Sequence, residues 1–257
     1  MPRTVSASSL ADGIRRRGRG FTILEILVIM AIIAVLLSIL LPTVSKLRER
    51  AHRLICVNNV RQLAAAVIQY ANVNQGRLPH HGDVRTNRAN PPGVDPPRFR
   101  DEDWIHWQTA SGRTLEQSAI APYLGAGARL KEILRCPTDV PEQHEPFPFS
   151  IDGKYEYSYT INGLVSGPSG SRKFTEFVRP SNKIMFAEPA KPYFGWYWGD
   201  RLTTRHGHAP KTAFPLADRR IGSDGGINVS ASFFDGHADS ITQDFADDGR
   251  EHYVSGE

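Results

Sequence analysis

The junction at residues 15–25 constrains this chain more than anything else in it. Arg15, Arg16, Arg17 and Arg19 form a basic stretch, Gly20 ends it, and Phe21 opens an apolar run that reaches Leu41. That run holds 21 residues and a single charged side chain, Glu25. A helix rises about 1.5 Å per residue, so the run extends roughly 31 Å, enough to cross the hydrocarbon core of a bilayer. A carboxylate at that depth is costly unless something pairs with it. The chain must therefore place this helix among lipids or other helices, and a partner must meet Glu25.

Two common explanations of such a segment fit poorly. A cleaved secretory signal has a shorter apolar core followed by small residues, and Ser38-Ile39-Leu40-Leu41-Pro42 offers no such site. A plain signal anchor gives no reason for Glu25 or for glycine at the basic/apolar boundary. The stretch Gly20-Phe21-Thr22-Ile23-Leu24-Glu25 resembles the prepilin processing site of type IV pilins and type II secretion pseudopilins. The resemblance implies that prepilin peptidase cuts between Gly20 and Phe21 and that the new terminal Phe21 is N-methylated. It also implies two further kinds of partner, other pilin or pseudopilin subunits and an inner-membrane assembly platform. Methylation keeps the positive charge of the new amine. Glu25 lies one helical turn away, which permits partial self-pairing. The resemblance implies that it pairs instead with the amine of a neighbouring subunit.

The whole chain carries 31 basic and 27 acidic side chains, a net +4. Residues 1–20 hold five arginines and one aspartate, so residues 21–257 carry 26 of each sign and no net charge. The mature chain is thus not a basic protein, and nucleic acid is not an expected partner. The basic leader favours a cytoplasmic N-terminus, but Lys46, Arg48, Arg50, Arg53 and Arg61 follow the apolar run and nearly balance it. The prepilin resemblance decides the orientation: a single-pass protein of the bacterial inner membrane, with its C-terminal domain in the periplasm.

A leader at 1–20, an N-terminal helix at 21–75 and a globular domain at 76–257 are expected. The helix divides into a transmembrane and assembly segment, 21–41, and an amphipathic segment, 42–75. Pro42 sits at the change and lacks a backbone donor, so a kink or loosened turn is expected there. Val44, Leu47, Ala51, Leu54 and Ile55, then Val60, Leu63, Ala64, Val67 and Tyr70, recur at helical spacing and predict a packing stripe. Gly76 is a suitable stop. Cys56 and Cys136 form an even pair compatible with a disulfide in an exported domain, the alternative being two separate buried thiols.

Further along, the Pro-rich stretch 89–97 predicts an exposed insertion near 80–100. Short helices are expected near 115–124 and 130–134. Tyr155, Tyr157 and Tyr159 alternate into Asn162-Gly163, a hairpin signal. Ile184–Ala187 reads as a buried strand, and residues 230–241 as a second hairpin around Asp235-Gly236. Together these predict an α+β fold, a long N-terminal helix packed on a small antiparallel sheet, in agreement with the pilin resemblance.

Several stretches resemble a subgroup of pilin-like proteins whose C-terminal part carries a processing-associated H-x9-DG signature. They are residues 56–63 with 70–79, Cys136-Pro137-Thr138-Asp139, residues 157–163, and Pro180 to Glu188. The signature itself departs here. Its histidine position is Gly225, and the nearest upstream match, His206, is separated from Asp235 by 28 intervening residues. An insertion near 209–225 accounts for the spacing.

His206, His208, Asp235 and His237 are the metal-ligand candidates, since H-x-H and D-x-H can each offer two ligands on one strand face. No third ligand is fixed by local spacing, and Asp235-Gly236 is already explained as a tight turn. No cofactor is expected, calcium or another metal at these residues being the exception. The chain contains no Walker, G-x-S-x-G or H-x-x-E-H-type motif, and no enzymatic activity is expected. The favoured reading is a structural subunit of a type II secretion-like pseudopilus or a type IV pilus-like fibre. The alternative is a membrane-tethered module that binds a ligand such as polysaccharide through the aromatic run Tyr193 to Trp198.

Overall fold

The structure is a computed structural model that describes residues 21–82, 100–107, 112–141, 144, 155–167, 170–188, 196–197 and 228–242. The chain divides into two compact units, Met1–Leu47 and Arg48–Glu257. One helix, α1 (Ile23–Val73), contributes residues to both.

In the first unit every side chain from Phe21 to Leu47 is exposed, including the large apolar side chains between Ile23 and Leu41. The helix runs through Pro42. Proline removes one backbone donor, and hydroxyls on the adjoining turns add local bonds. Ser38 Oγ donates to the Val35 carbonyl at 2.7 Å, Thr43 Oγ1 to that of Ile39 at 3.1 Å, and Ser45 Oγ to that of Pro42 at 2.9 Å.

In the second unit, burial of α1 begins at Cys56. Cys56, Asn59, Val60, Leu63, Ala64, Ala66, Val67 and Ala71 are buried at helical spacing, so one face of the helix is sealed. The packing stripe read from the sequence holds over Val60 to Val67 and fails before it. Val44, Leu47, Leu54 and Ile55 are exposed, because among the described residues nothing covers that part of the helix. At the C-terminus Gln75 and Gly76 both take positive φ, 58° and 76°, and the Gly76 amide donates to the Ala71 carbonyl at 2.8 Å. This is the bonding of a Schellman-type stop, with Gln75 in the left-handed position.

The main sheet has strand order β5-β1-β4-β6-β7. Its members are β1 (Thr160–Asn162), β4 (Ile184–Ala187), β5 (Trp196–Tyr197), β6 (Asn228–Phe233) and β7 (Ala238–Thr242). Along β1, β4, β6 and β7 each neighbouring pair is antiparallel, while the short edge strand β5 runs parallel to β1. The fold is therefore α+β, a long helix whose C-terminal half packs on a small antiparallel sheet, with one parallel edge. A separate two-stranded ribbon joins β2 (Ser166–Gly167) to β3 (Gly170–Ser171). Between α1 and the sheet lie two 3-10 turns, Leu115–Gln117 and Ala121–Tyr123, and a short helix, α2 (Ala128–Ile133).

The hairpin expected at Asn162-Gly163 is not formed. Asn162 ends β1, and its side-chain oxygen accepts the Leu164 amide at 3.0 Å, capping a 3-10 turn, Gly163–Val165. Its amide nitrogen donates to the Ile184 carbonyl of β4 at 2.9 Å. The Asn-Gly pair thus starts a helical turn, a competing use of the same side chain. The tyrosine alternation is not a strand either. Tyr155 and Tyr159 are both fully buried, and the Tyr155 hydroxyl donates to the Tyr159 carbonyl at 2.7 Å. The hairpin at Asp235-Gly236 does form, between β6 and β7.

The core joins the buried face of α1 to Leu78, Trp104, Tyr155, Tyr159, Ile161, Phe186 and Phe234. Trp104 meets Phe186 edge-on at 5.1 Å, and Phe177 stacks on Phe234 at 4.0 Å. A smaller cluster gathers Ile184, Ala187, Val229, Ala231, Phe233 and Ile241.

Candidate functional site

Glu25 is held by its own helix start. Its Oε2 accepts the Thr22 amide at 2.8 Å and the Thr22 hydroxyl at 2.9 Å, while the Glu25 amide donates to Thr22 Oγ1 at 3.2 Å. This is a capping box, in which Thr22 and Glu25 satisfy each other's exposed amides. Its signature, Thr-x-x-Glu, is present in the sequence, though the acid drew attention for its charge and not for this role. Both contacts fall on one carboxylate oxygen. Leader residue Gly20 lies outside the described residues.

A second constellation sits where α1 enters the core. The side-chain ligand atoms of Cys56, Cys136 and Glu188 lie within 4.8 Å of one another, and all three residues are buried. Contact with the Cys136 thiol, then burial and the nearby Glu188, push the Cys56 thiol far above its ordinary range. Burial first, and then Glu188, likewise push the Tyr159 phenol well up. Tyr159 Oη is also reached by Asn59 Nδ2 at 3.3 Å, and that nitrogen lies 3.1 Å from the Arg135 carbonyl beyond α2.

The Cys-Pro-Thr-Asp stretch is anchored beside this group. The Cys136 amide donates to Ser158 Oγ at 2.8 Å, and Ser158 Oγ donates to Asp139 Oδ2 at 2.5 Å. Asp139 Oδ1 lies 2.9 Å from His144 Nε2, and His144 Nδ1 lies 2.6 Å from the Tyr155 carbonyl. Stretches far apart in the chain thus converge, with Cys56 and Asn59 from α1, Cys136 and Asp139 after α2, Ser158 and Tyr159 before β1, and Glu188 after β4. The sequence reading singled out only the two cysteines as site residues. The others stand inside stretches noted for their resemblance, and no local spacing shows that they meet.

The metal candidates fare differently. Asp235 and His237 close on each other in the β6–β7 turn. Asp235 Oδ1 accepts the His237 amide at 3.1 Å and lies 2.5 Å from His237 Nδ1. The His237 ring also stacks on Phe233 at 4.1 Å. Gly236 has φ of 91°, and a Cβ there would come within 3.0 Å of Ile68 on α1. The turn therefore has a structural explanation, a positive-φ residue in close approach to the helix. His206, His208, Gly225 and the insertions near 80–100 (from residue 83 to 99) and 209–225 lie outside the described residues. So does most of the aromatic run, of which Trp196–Tyr197 contributes the backbone of β5.

Near the C-terminal end of α1, His80 Nδ1 pairs with Asp103 Oδ1 at 2.9 Å, both buried. His81 stacks on His80 at 4.4 Å and contacts the Ser166 hydroxyl through Nδ1. Burial, then His80 and Arg100, depress the His81 imidazole to about 3. Aspartate and serine meet different histidines, so the four do not form a nucleophile–base–acid relay. A cleft of about 440 Å³ adjoins them, with Tyr70, Asn74, Arg77, Arg100 and Glu102 among its lining residues.

Comparison with known proteins bears on the N-terminal segment. Residues 15–41 match the prokaryotic N-terminal methylation motif. The chain is also 28% identical over 68 residues to the ComG operon protein 3 homolog of Bacillus licheniformis, an alignment covering 26% of this chain and 70% of that protein. No solved structure matches the chain. The chain therefore carries a prepilin-type N-terminal motif on a pilin-like α+β fold. Among the described residues α1 is long and apolar enough to cross a membrane, and with the motif it points to single-pass anchoring.

Proposed function

We propose that this chain is a structural subunit of a type II secretion-like pseudopilus or type IV pilus-like fibre. It is matured by prepilin peptidase between Gly20 and Phe21 and assembled through α1, with its C-terminal domain outside the inner membrane. The observation that carries this reading is the coincidence of the methylation motif with a helix whose apolar surface stays exposed as far as Ile55. The bilayer core accounts for about 20 helical residues, which the 21–41 segment uses up. Val44, Leu47, Leu54 and Ile55 lie beyond it and call for protein partners. Packed subunits supply them.

Glu25 provides register. Cleavage gives Phe21 a cationic amine, and a carboxylate among lipid chains gains most from pairing with such a charge. In the single chain the carboxylate caps its own helix. In the fibre it meets the amine of the next subunit. The protein performs no bond chemistry of its own. Glu25→Ala is expected to insert into membranes at the wild-type level and to yield no fibre in sheared-cell fractions. Wild-type fibre yield from that variant would remove the proposed role of the acid.

A further inference from the structure

We propose that Cys56 and Cys136 are joined by a disulfide in the exported protein, fastening α1 covalently to the segment that follows α2. The two cysteines are free, buried thiols in the structure, their sulfurs lie within 4.8 Å of each other, and they come from positions separated by 79 residues. Neighbouring groups hold both backbones in place. Asn59, one turn after Cys56, binds the Arg135 carbonyl, and the Cys136 amide is fixed on Ser158. Little backbone motion is therefore available to separate the sulfurs.

Glu188 completes a triad that could instead hold a metal ion. The charges argue against this. Two thiolates and a carboxylate around a dication leave a net negative charge at a buried site, beside a phenol that is itself hard to ionise. A disulfide is neutral. It also removes the Cys56 thiol, whose ionisation Glu188 opposes.

The chemistry balances by thiol–disulfide exchange. Each cysteine gives up a proton, one S–S bond forms, and two electrons reduce the disulfide of an oxidant such as oxidised glutathione or a dithiol oxidase to two thiols. The thiolate is the attacking species, and burial disfavours it, so the bond forms before the core closes. The state in cells rests on the export reading given above. Pairing in the purified chain does not.

The test has two arms. Full-length chain, unfolded and reduced in detergent, is refolded in glutathione redox buffer, alkylated and digested without reductant. A cross-linked peptide holding Cys56 and Cys136 is expected, with a thermal midpoint roughly 10–15 °C above that of the reduced chain. Alkylation of both cysteines overturns the proposal. So does one equivalent of zinc by elemental analysis with thiols that alkylate only after chelation. Native membranes are then alkylated directly, alongside protease treatment of spheroplasts. Reduced cysteines in a chain that external protease digests overturn the disulfide and leave export standing. Reduced cysteines in a protected chain refute export, and the refolding arm alone then decides the pairing.

Discussion

The two parts of α1 obey the same helical rules and meet opposite surroundings. From Ile23 to Ile55 its large apolar side chains face outward, and from Cys56 to Ala71 one face is sealed in a core. Burial of apolar surface stabilises a domain only where something covers it. The second part contributes to the fold of the chain that carries it, while the first contributes only when a membrane or another subunit arrives. A continuous hydrophobic pattern therefore says where a helix can bury itself, not whether its own chain does the burying.

Paired truncations are the sharpest way to break this contrast. Leu63→Ala is expected to lower unfolding stability by about 2–5 kcal/mol, as for a fully buried leucine. Leu36→Ala, at an exposed position in the apolar segment, is expected to leave the denaturation midpoint of the globular unit unchanged and to weaken fibre assembly. Urea titrations and fibre yields on both variants check this, and equal losses of stability would erase the distinction.

A smaller effect is expected from Asn59→Ala. The asparagine ties α1 to the carbonyl of Arg135 and to the Tyr159 hydroxyl. Its removal leaves buried polar groups unmatched, at a cost of about 1–3 kcal/mol. The same titration reads it, and a neutral outcome would mean that the polar joint adds nothing to apolar packing.

A further effect concerns acid. Folding depresses His81 from its ordinary 6.5 to about 3, chiefly by burial. The unfolded chain then binds a proton that the folded chain refuses, so stability is full above about pH 6.5 and declines as pH falls toward 3. His81→Gln is expected to flatten that decline in midpoint-versus-pH measurements, whereas an unchanged slope would assign the acid sensitivity elsewhere.

What the sequence made legible follows from the range of the interactions. The helix, the buried strand Ile184–Ala187 and the Asp235-Gly236 hairpin depend on neighbours a few positions away, and all three are present. The Asn162-Gly163 turn misled because an asparagine can cap a helical turn as readily as open a hairpin. The parallel edge strand β5 could not be read, because a two-residue pairing leaves no periodic trace. The joint around Cys56 was half visible. Its cysteines stand out in any sequence, but Glu188, Ser158 and Tyr159 reach it only through long-range packing. At the amino terminus, Glu25 was conspicuous as a charge, while its cap with Thr22 lay unread in a four-residue signature.

The central claim is that α1 is made to be covered by other subunits after its leader is removed. The most direct test is the mass and sequence of the amino-terminal peptide of the protein isolated from its native membranes. The account predicts a peptide that begins at Phe21 and carries an N-methyl group. A peptide that begins at Met1 with the arginine stretch intact would contradict it.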